Sequence, residues 1–457
     1  MRKISLLART CGTPSPMRNL LCALIVSLTA LSANAAKPNI VMILVDDLGY
    51  SDLSSFGGTD IRTPAIDGLM KAGLRFDQFY SNCTVCTPTR ASLLTGRYPD
   101  LVGTPGVIRQ WDENSWGYFR PTGPTLPDLM RKAGYHTGMV GKWHLGFESP
   151  NIPNDRGFDF FHGFLADMMD DYWTHLRGGV NWMRLNKKEI KAKGHATEVF
   201  TNWAIDYVHT QSKNKEQPFF LYLAYNAPHF PIQPPKAWLD KVKTREPDLN
   251  LKRATNVAFV EHMDHEIGRF LKSINDLGIA KDTLIVFSSD NGGSIPHGAL
   301  NGNLRGGKQD HWEGGIRVPT CAVWPGTITP GRTNAPGITM DLLPTFVSLG
   351  GGTVDHEIDG QNLSNVMLKG DKGNQNRTLI FVRREGNRRY QGRTYYAIRR
   401  GPWKLLQNTP FEPMQLVNLE TDPEETKPVN TNTKIGNELM RALMDHIQKS
   451  GPIPWKK

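Results

Sequence analysis

The chain reads as an α/β protein: a large, mostly parallel sheet sandwiched by helices, with a smaller C-terminal α+β domain. Two observations predict the large sheet. Short, almost continuously aliphatic runs alternate with stretches at helical spacing, and such a run is a strand buried on both faces. Several of these runs also end in polar clusters, as expected where the strands of an open parallel sheet aim their carboxyl ends at one crevice. A third observation predicts the small domain: after Leu349-Gly350-Gly351-Gly352 the texture changes to short strands with tight turns.

Taken in order, residues 1–35 read as a signal peptide. Arg2, Lys3, Arg9 and Arg18 precede an apolar run over 20–33, which ends in the small-residue pattern Ala33-Asn34-Ala35. Met17, just before Arg18, is a second candidate start; Cys22 follows Leu21 rather than a small residue, which argues against a lipoprotein. The expectation is an exported protein, periplasmic or secreted, with no membrane span after cleavage. Residues 39–45 are then a buried strand ending in Asp46-Asp47, and residues 65–72 a helix stopped by Gly73. Residues 126–133 repeat that helix pattern before Gly134, leading into a strand over 137–140 that delivers Gly141-Lys142-Trp143-His144. A strand over 219–225 delivers Asn226-Ala227-Pro228-His229. A long helix, marked by Val260, Met263, Ile267, Phe270, Leu271 and Ile274, precedes a strand over 283–288 that delivers Asp290-Asn291-Gly292-Gly293. Each cluster alone is explained by a solvated turn; their recurrence at the same end of four strands is the argument for a site. Beyond residue 375, strands are expected over 379–383, 394–399 and 403–407, and a terminal helix over 437–449. The division is 1–35, 36–365 and 366–457.

Composition excludes several classes. With 39% hydrophobic residues and 30 Phe and Trp together, 457 residues can bury substantial cores, so disorder and fibre are ruled out. The formal charge of +10 falls to +6 once the four basic residues of 1–35 are removed. That modest excess on an exported chain suits an anionic extracellular partner; no nucleic acid is expected, since no helix-turn-helix, RNP or zinc-finger pattern is present. Beyond residue 35 only Cys83, Cys86 and Cys321 remain, which is no disulfide framework.

Cys86 is the thiol to explain. Thr87 can cap a helix with Pro88 in its first turn and Gly96 at its end, which puts Cys86 just ahead of a helix N-terminus with Arg90 within reach. Such a segment holds an oxyanion, or marks a low-pKa thiol. Asp46, Asp47, Asp290 and Asn291 form an all-oxygen set, which suits Ca2+ or Mg2+ and not zinc. Lys142 and Lys308 can bind anionic oxygens, and His144 and His229 can move protons. His262 and His265, at i and i+3, are read as a wet helix face and not a metal pair. Arg383, Arg384, Arg388, Arg389, Arg393, Arg399 and Arg400 form a solvated basic face or grip a sulfated or carboxylated chain.

With these residues in view, the sequence from about residue 37 to its end resembles the formylglycine-dependent type I sulfatases of the alkaline phosphatase superfamily. Cys86-Thr87-Pro88-Thr89-Arg90 with Leu94-Thr95-Gly96-Arg97 resembles the family's signature for converting cysteine to formylglycine, and Gly141-Lys142-Trp143-His144-Leu145-Gly146 its second signature. The resemblance implies a calcium ion held by Asp46, Asp47, Asp290, Asn291 and the modified Cys86. It implies that Arg90, Lys142 and His144 hold the formylglycine and that His229 and Lys308 face the substrate sulfate. It also implies a maturation enzyme that makes the formylglycine, and a sulfated glycan as substrate. An arylsulfatase of broad specificity, a formylglycine phosphonate or phosphodiester hydrolase, and a non-catalytic sulfated-glycan-binding protein are the alternatives. The segment 158–195, with His162, Asp170, Asp171, Trp173, His175, Arg177 and Trp182, and the loop 296–312, with His297, Asn301, Asn303, Arg305 and His311, either line the leaving-group side or simply pack.

Overall fold

The computed structural model describes residues 37–385 and 394–457. The signal-peptide reading and Arg388, Arg389 and Arg393 therefore lie outside the described residues. Pro38–Lys457 is one compact unit. Among the described residues no helix is long and apolar enough to cross a membrane.

The large sheet has ten strands: β1 Asn39–Val45, β2 Leu74–Phe76, β3 His136–Lys142, β4 Phe160–Phe164, β5 Met183–Leu185, β6 Lys188–Glu189, β7 Phe219–Ala224, β8 Thr283–Ser289, β9 Thr320–Val323 and β10 Gly331–Thr333. Their order is β10-β2-β9-β8-β1-β7-β3-β4-β5-β6. The four strands expected to share a crevice are contiguous neighbours, β8-β1-β7-β3, and every pairing among them is parallel. The register sets Val45 against Ser289 and Leu44 against Ala224, so the carboxyl ends fall at one edge. The fold is the expected α/β sandwich, with antiparallel strands added at the margins.

Why β1 is aliphatic throughout follows from its two faces. Val41, Ile43 and Val45 enter one core, while Ile40, Met42 and Leu44 enter another on the opposite face. Helices α1 (Pro64–Ala72), α2 (Cys86–Thr95), α3 (Leu126–Lys132), α4 (Ala196–Gln211), α5 (Leu251–Asp276) and α6 (Leu342–Leu349) cover them. Residues of α1, α4 and α5 fill the first core and residues of α2, α3 and α6 the second. The small sheet, β11 Thr378–Arg384, β12 Thr394–Arg400, β13 Trp403–Gln407 and β14 Gln415–Asn418, is antiparallel, and α7 (Lys434–Ser450) packs on it. It shares its core with Tyr80, Trp312, Ile338 and Met340 of the larger part.

Three expectations are corrected. Helix α2 starts at Cys86, with Val85 as its N-cap, so Cys86 lies in the first turn rather than ahead of it. Thr87 is inside that turn, and its Oγ1 accepts from the Ile108 backbone N–H at 3.2 Å instead of capping the helix. His262 is buried, 3.3 Å from Glu198, and not on a wet face. Nor do Arg383 and Arg399 lie on a solvated face. Arg383 is buried in an ion pair with Glu385, Arg399 is buried and donates to Gln78, and Arg400 reaches Glu438.

Candidate active site

Parallel register brings the polar clusters to one place. Asp46 and Asp47 follow β1, Asp290 and Asn291 follow β8, His229 lies five residues past β7, and Lys142 closes β3. Helix α2 presents Cys86 from its first turn, and the loop after β8 brings Lys308. One ligand atom each of Asp46, Asp47 and Asp290 lies within 4.8 Å of the others, and the same holds for Asp46, Cys86 and His229. All of the ten expected residues except Lys308 are buried. Only glycine can precede Lys142 at the crossing of β3 and β7: Gly141 has φ +105°, and a Cβ there would meet the Ala224 carbonyl oxygen at 1.9 Å. Asp47 and His144 also have left-handed backbones, at φ 68° and 61°. Non-glycine residues are held there only where the surroundings over-determine them.

The cations are shared among the acids. Arg90 donates through Nε and Nη2 to Asp290 Oδ2 at 3.0 and 2.7 Å, and through Nη1 to the Lys142 carbonyl at 3.0 Å. Lys142 Nζ donates to Asp46 Oδ2, and Lys308 Nζ to Asp47 Oδ2 at 2.6 Å. Three carboxylates thus face three permanent cations. Asn291 Nδ2 donates to Asp47 Oδ1 at 2.8 Å, which turns its Oδ1 inward. Two acceptor atoms at the strand tips, Asp46 Oδ1 and Asn291 Oδ1, are buried without a partner. A buried acceptor with no donor is costly, so these oxygens point to a cation.

Ionisation follows the same geometry. Burial opposes charge on Asp46, yet Lys142, His229 and Arg90 outweigh it and hold the carboxyl below its ordinary range. Burial and the neighbouring Asp46 push Asp290 well above it. Burial, with the Glu385 charge adding to it at Cys83, drives the Cys83 and Cys321 thiols up to about 12. Cys86 is equally buried, but Lys142 and Lys308 reverse the direction and pull its thiol below the usual value. Burial and Lys142 press His144 well below the usual histidine range. Its Nε2 lies 3.0 Å from the Ile108 carbonyl, which can only accept, so Nε2 carries the proton and the unpartnered Nδ1 keeps its lone pair.

Cys86, His144, His229 and Lys308 line a cavity of about 330 Å3, together with Arg109, Asp167, Arg177, Phe230, His297 and Glu385. Of the two segments expected on the leaving-group side, Arg177 and His297 reach it. Trp182 lines a neighbouring cavity and Trp173 is exposed. His162 stacks on Trp203 and His175 meets the Gly194 carbonyl. Asn301 braces Tyr50 and Gly293, and Arg305 donates to the Glu425 carbonyl. His311 is buried against Tyr395. Asp167, which holds Arg177 at 2.8 and 3.0 Å, was missed although it follows β4 as the other acids follow their strands. Phe230 directly follows His229; no pattern marked it, Arg109 or Glu385.

A family model described as "Sulfatase" matches residues 38–352. The chain belongs to the sulfatase family. It is therefore a sulfuric ester hydrolase. A second model, "N-sulphoglucosamine sulphohydrolase, C-terminal", matches residues 307–451 of this sulfatase. The N-acetylgalactosamine-6-sulfatase of Rattus norvegicus is 32% identical over 419 residues, covering 86% of this chain and 76% of the relative. Arylsulfatase A of Homo sapiens is 31% identical over 413 residues, covering 84% and 77%. Among solved structures, Ps i-CgsB in complex with k-i-k-neocarrahexaose has a TM-score of 0.84 at 32% identity, covering 92% of this sulfatase and 95% of that chain.

Proposed function

We propose that this sulfatase is exported and removes sulfate from a sulfated carbohydrate, with Cys86 converted to formylglycine by a maturation enzyme and one Ca2+ bound at the strand tips. The observation that carries the reading is the meeting of Cys86 with Asp46 and His229 at the edge where Asp47 and Asp290 also converge. The donors fit the ion: three carboxylates and an amide oxygen are hard ligands, and Asp46 Oδ1 and Asn291 Oδ1 await a partner. Asp46, Asp47, Asp290, Asn291 and the modified Cys86 would hold it. Cys86 fits the modification, since it starts a helix and is the thiol whose charge the pocket favours. A carbohydrate substrate is supported by the relative named for N-acetylgalactosamine 6-sulfate and by the solved relative holding a carrageenan-type hexaose.

When present, the two groups would supply a hydrated aldehyde with a nucleophilic hydroxyl and a divalent charge that draws electrons from the sulfate oxygens. The side chains supply the rest. With three acids balanced by three permanent cations, added metal charge leaves the bowl positive towards a sulfate ester. Lys308 would bind the sulfate oxygens, Lys142 would hold the modified Cys86, and Arg90 holds Asp290 where it would accept the proton of the attacking hydroxyl. His229 Nδ1 is held by the Phe230 carbonyl at 2.6 Å, which leaves Nε2, 3.6 Å from Asp47 Oδ2, to protonate the leaving oxygen. His144 Nδ1, with its lone pair free, would be the group to take a proton from the second hydroxyl of the modified Cys86.

The test is sulfate release from a panel of defined sulfated oligosaccharides, 4-methylumbelliferyl sulfate and a phosphate diester. The reading predicts the highest kcat/KM on a glycan. Greater turnover of the phosphate diester, or glycan binding without turnover, would replace it.

A further inference from the structure

A second cavity of about 350 Å3 lies against the first. Two chain segments form the wall between them. Val107 and His144 face the first cavity, while the next residues, Ile108 and Leu145, line the second. The His144 to Ile108 contact at 3.0 Å ties the segments together. Arg109 lines both cavities. Its guanidinium donates to Glu385 Oε1 at 3.0 Å on the first side and to the Asn114 carbonyl at 2.8 Å, next to Ser115 of the second.

The lining of the second cavity has the mixed chemistry that suits a sugar. Phe147 and Trp182 sit with ring centroids 4.8 Å apart and offer an apolar face. Trp182 Nε1 donates to Gln110 Oε1 at 2.8 Å, and Gln110 Nε2 is buried without a partner. Lys456 and Lys457 stand at the rim; Lys457 is paired with Glu148, and with Arg109 the three cations of the lining exceed its two acids, Asp112 and Glu148, which suits an anionic chain. The volume is within the roughly 300–1,000 Å3 of ligand pockets. C–H faces of a pyranose match the aromatic rings, its hydroxyls match the polar lining of Asp112 and Ser115, and a sulfated neighbour matches the lysines.

We propose that this second cavity is a glycan subsite holding a sugar unit beyond the one whose ester is cut, so that the preferred substrate is a sulfated chain of several sugars. This rests on the carbohydrate reading above. Arg109 forms the partition over which such a chain passes.

The experiment compares kcat/KM for sulfate release from a sulfated galactose monosaccharide and from a carrageenan tetrasaccharide, in wild type, Trp182→Ala and Lys456→Ala/Lys457→Ala. Wild type should favour the tetrasaccharide by about tenfold or more, a difference of roughly 1.4 kcal/mol in transition-state binding. Trp182→Ala should bring that ratio towards one, chiefly through KM. The double lysine variant alters exposed rim residues, so it tests the subsite even if Trp182→Ala fails to fold; it should lower the ratio several-fold. Equal losses on both substrates, or an unchanged ratio in the double variant, would overturn the subsite. If wild type instead cleaves 4-methylumbelliferyl sulfate but neither glycan, the carbohydrate reading itself fails, and the subsite with it.

Discussion

Two buried clusters of opposite charges lie close in sequence on the loop after β1, and they are built to opposite ends. In one, Arg253 donates to both oxygens of Asp60 at 2.7 Å and to Asp52 Oδ1 at 2.5 Å. Asp52 also accepts the backbone N–H groups of Gly49 and Leu300 at 3.1 Å. Every carboxylate oxygen there has a donor. In the other, at the strand tips, Asp46 Oδ1, Asn291 Oδ1 and His144 Nδ1 have none, and Asp47 and His144 hold left-handed backbones. The first cluster braces the loop. The second keeps polar atoms open under strain, and that difference separates a structural ion pair from a site waiting for a ligand.

The sharpest way to break the comparison is to remove the nucleophile. Cys86→Ala should cut sulfate release by at least about 10³-fold while leaving the unfolding temperature near that of wild type, because the lost side chain makes no structural ion pair. Retained activity would remove Cys86 from the chemistry. Next in size is the braced cluster. Arg253→Ala strands Asp52 and Asp60 without their cation, and thermal unfolding should show a loss of about 3–5 kcal/mol. A near-neutral result would mean that this cluster is no more structural than the other.

Calcium should separate the two regions directly. At about 100 times its Kd, the ion should stabilise wild type by roughly 2.7 kcal/mol and Asp290→Ala or Asn291→Ala by much less, read by unfolding with and without chelator. Equal stabilisation of all three would show that the ligands are misassigned. The smallest effect concerns pH. Burial opposes charge on Glu385, but Arg383 and Arg109 outweigh it and bring its carboxyl to about 2. Because the folded value lies below the unfolded one, its contribution is present above about 4.5 and disappears as pH falls towards 2. Glu385→Gln should therefore flatten acid unfolding between those limits; an unchanged slope would sink that account.

Much of this was legible because buried parallel strands leave a plain trace. The aliphatic runs at 39–45, 219–224 and 283–289 end abruptly in acids, amide and imidazole, and parallel pairing then brings those ends together without further information. What stayed hidden lacks such a trace. Strand β4, Phe-Phe-His-Gly-Phe, carries a histidine and a glycine in place of aliphatics, so it read as part of an insert and its Asp167 went unnoticed. Arg109, Phe230 and Glu385 arrive from irregular segments, where no period announces direction. His262 is buried where a wet face was expected, because polarity alone does not reveal that His195, Trp238 and Glu198 pack against that ring.

The central claim is that one thiol of three is converted. Tandem mass spectrometry of the tryptic peptide spanning Phe76 to Arg90, taken from active enzyme, tests it most directly, since that peptide carries both Cys83 and Cys86. The account predicts a loss of about 18 Da at Cys86, from exchange of sulfur for oxygen and removal of two hydrogens, with Cys83 unchanged. Two intact thiols in a peptide from fully active protein would contradict it.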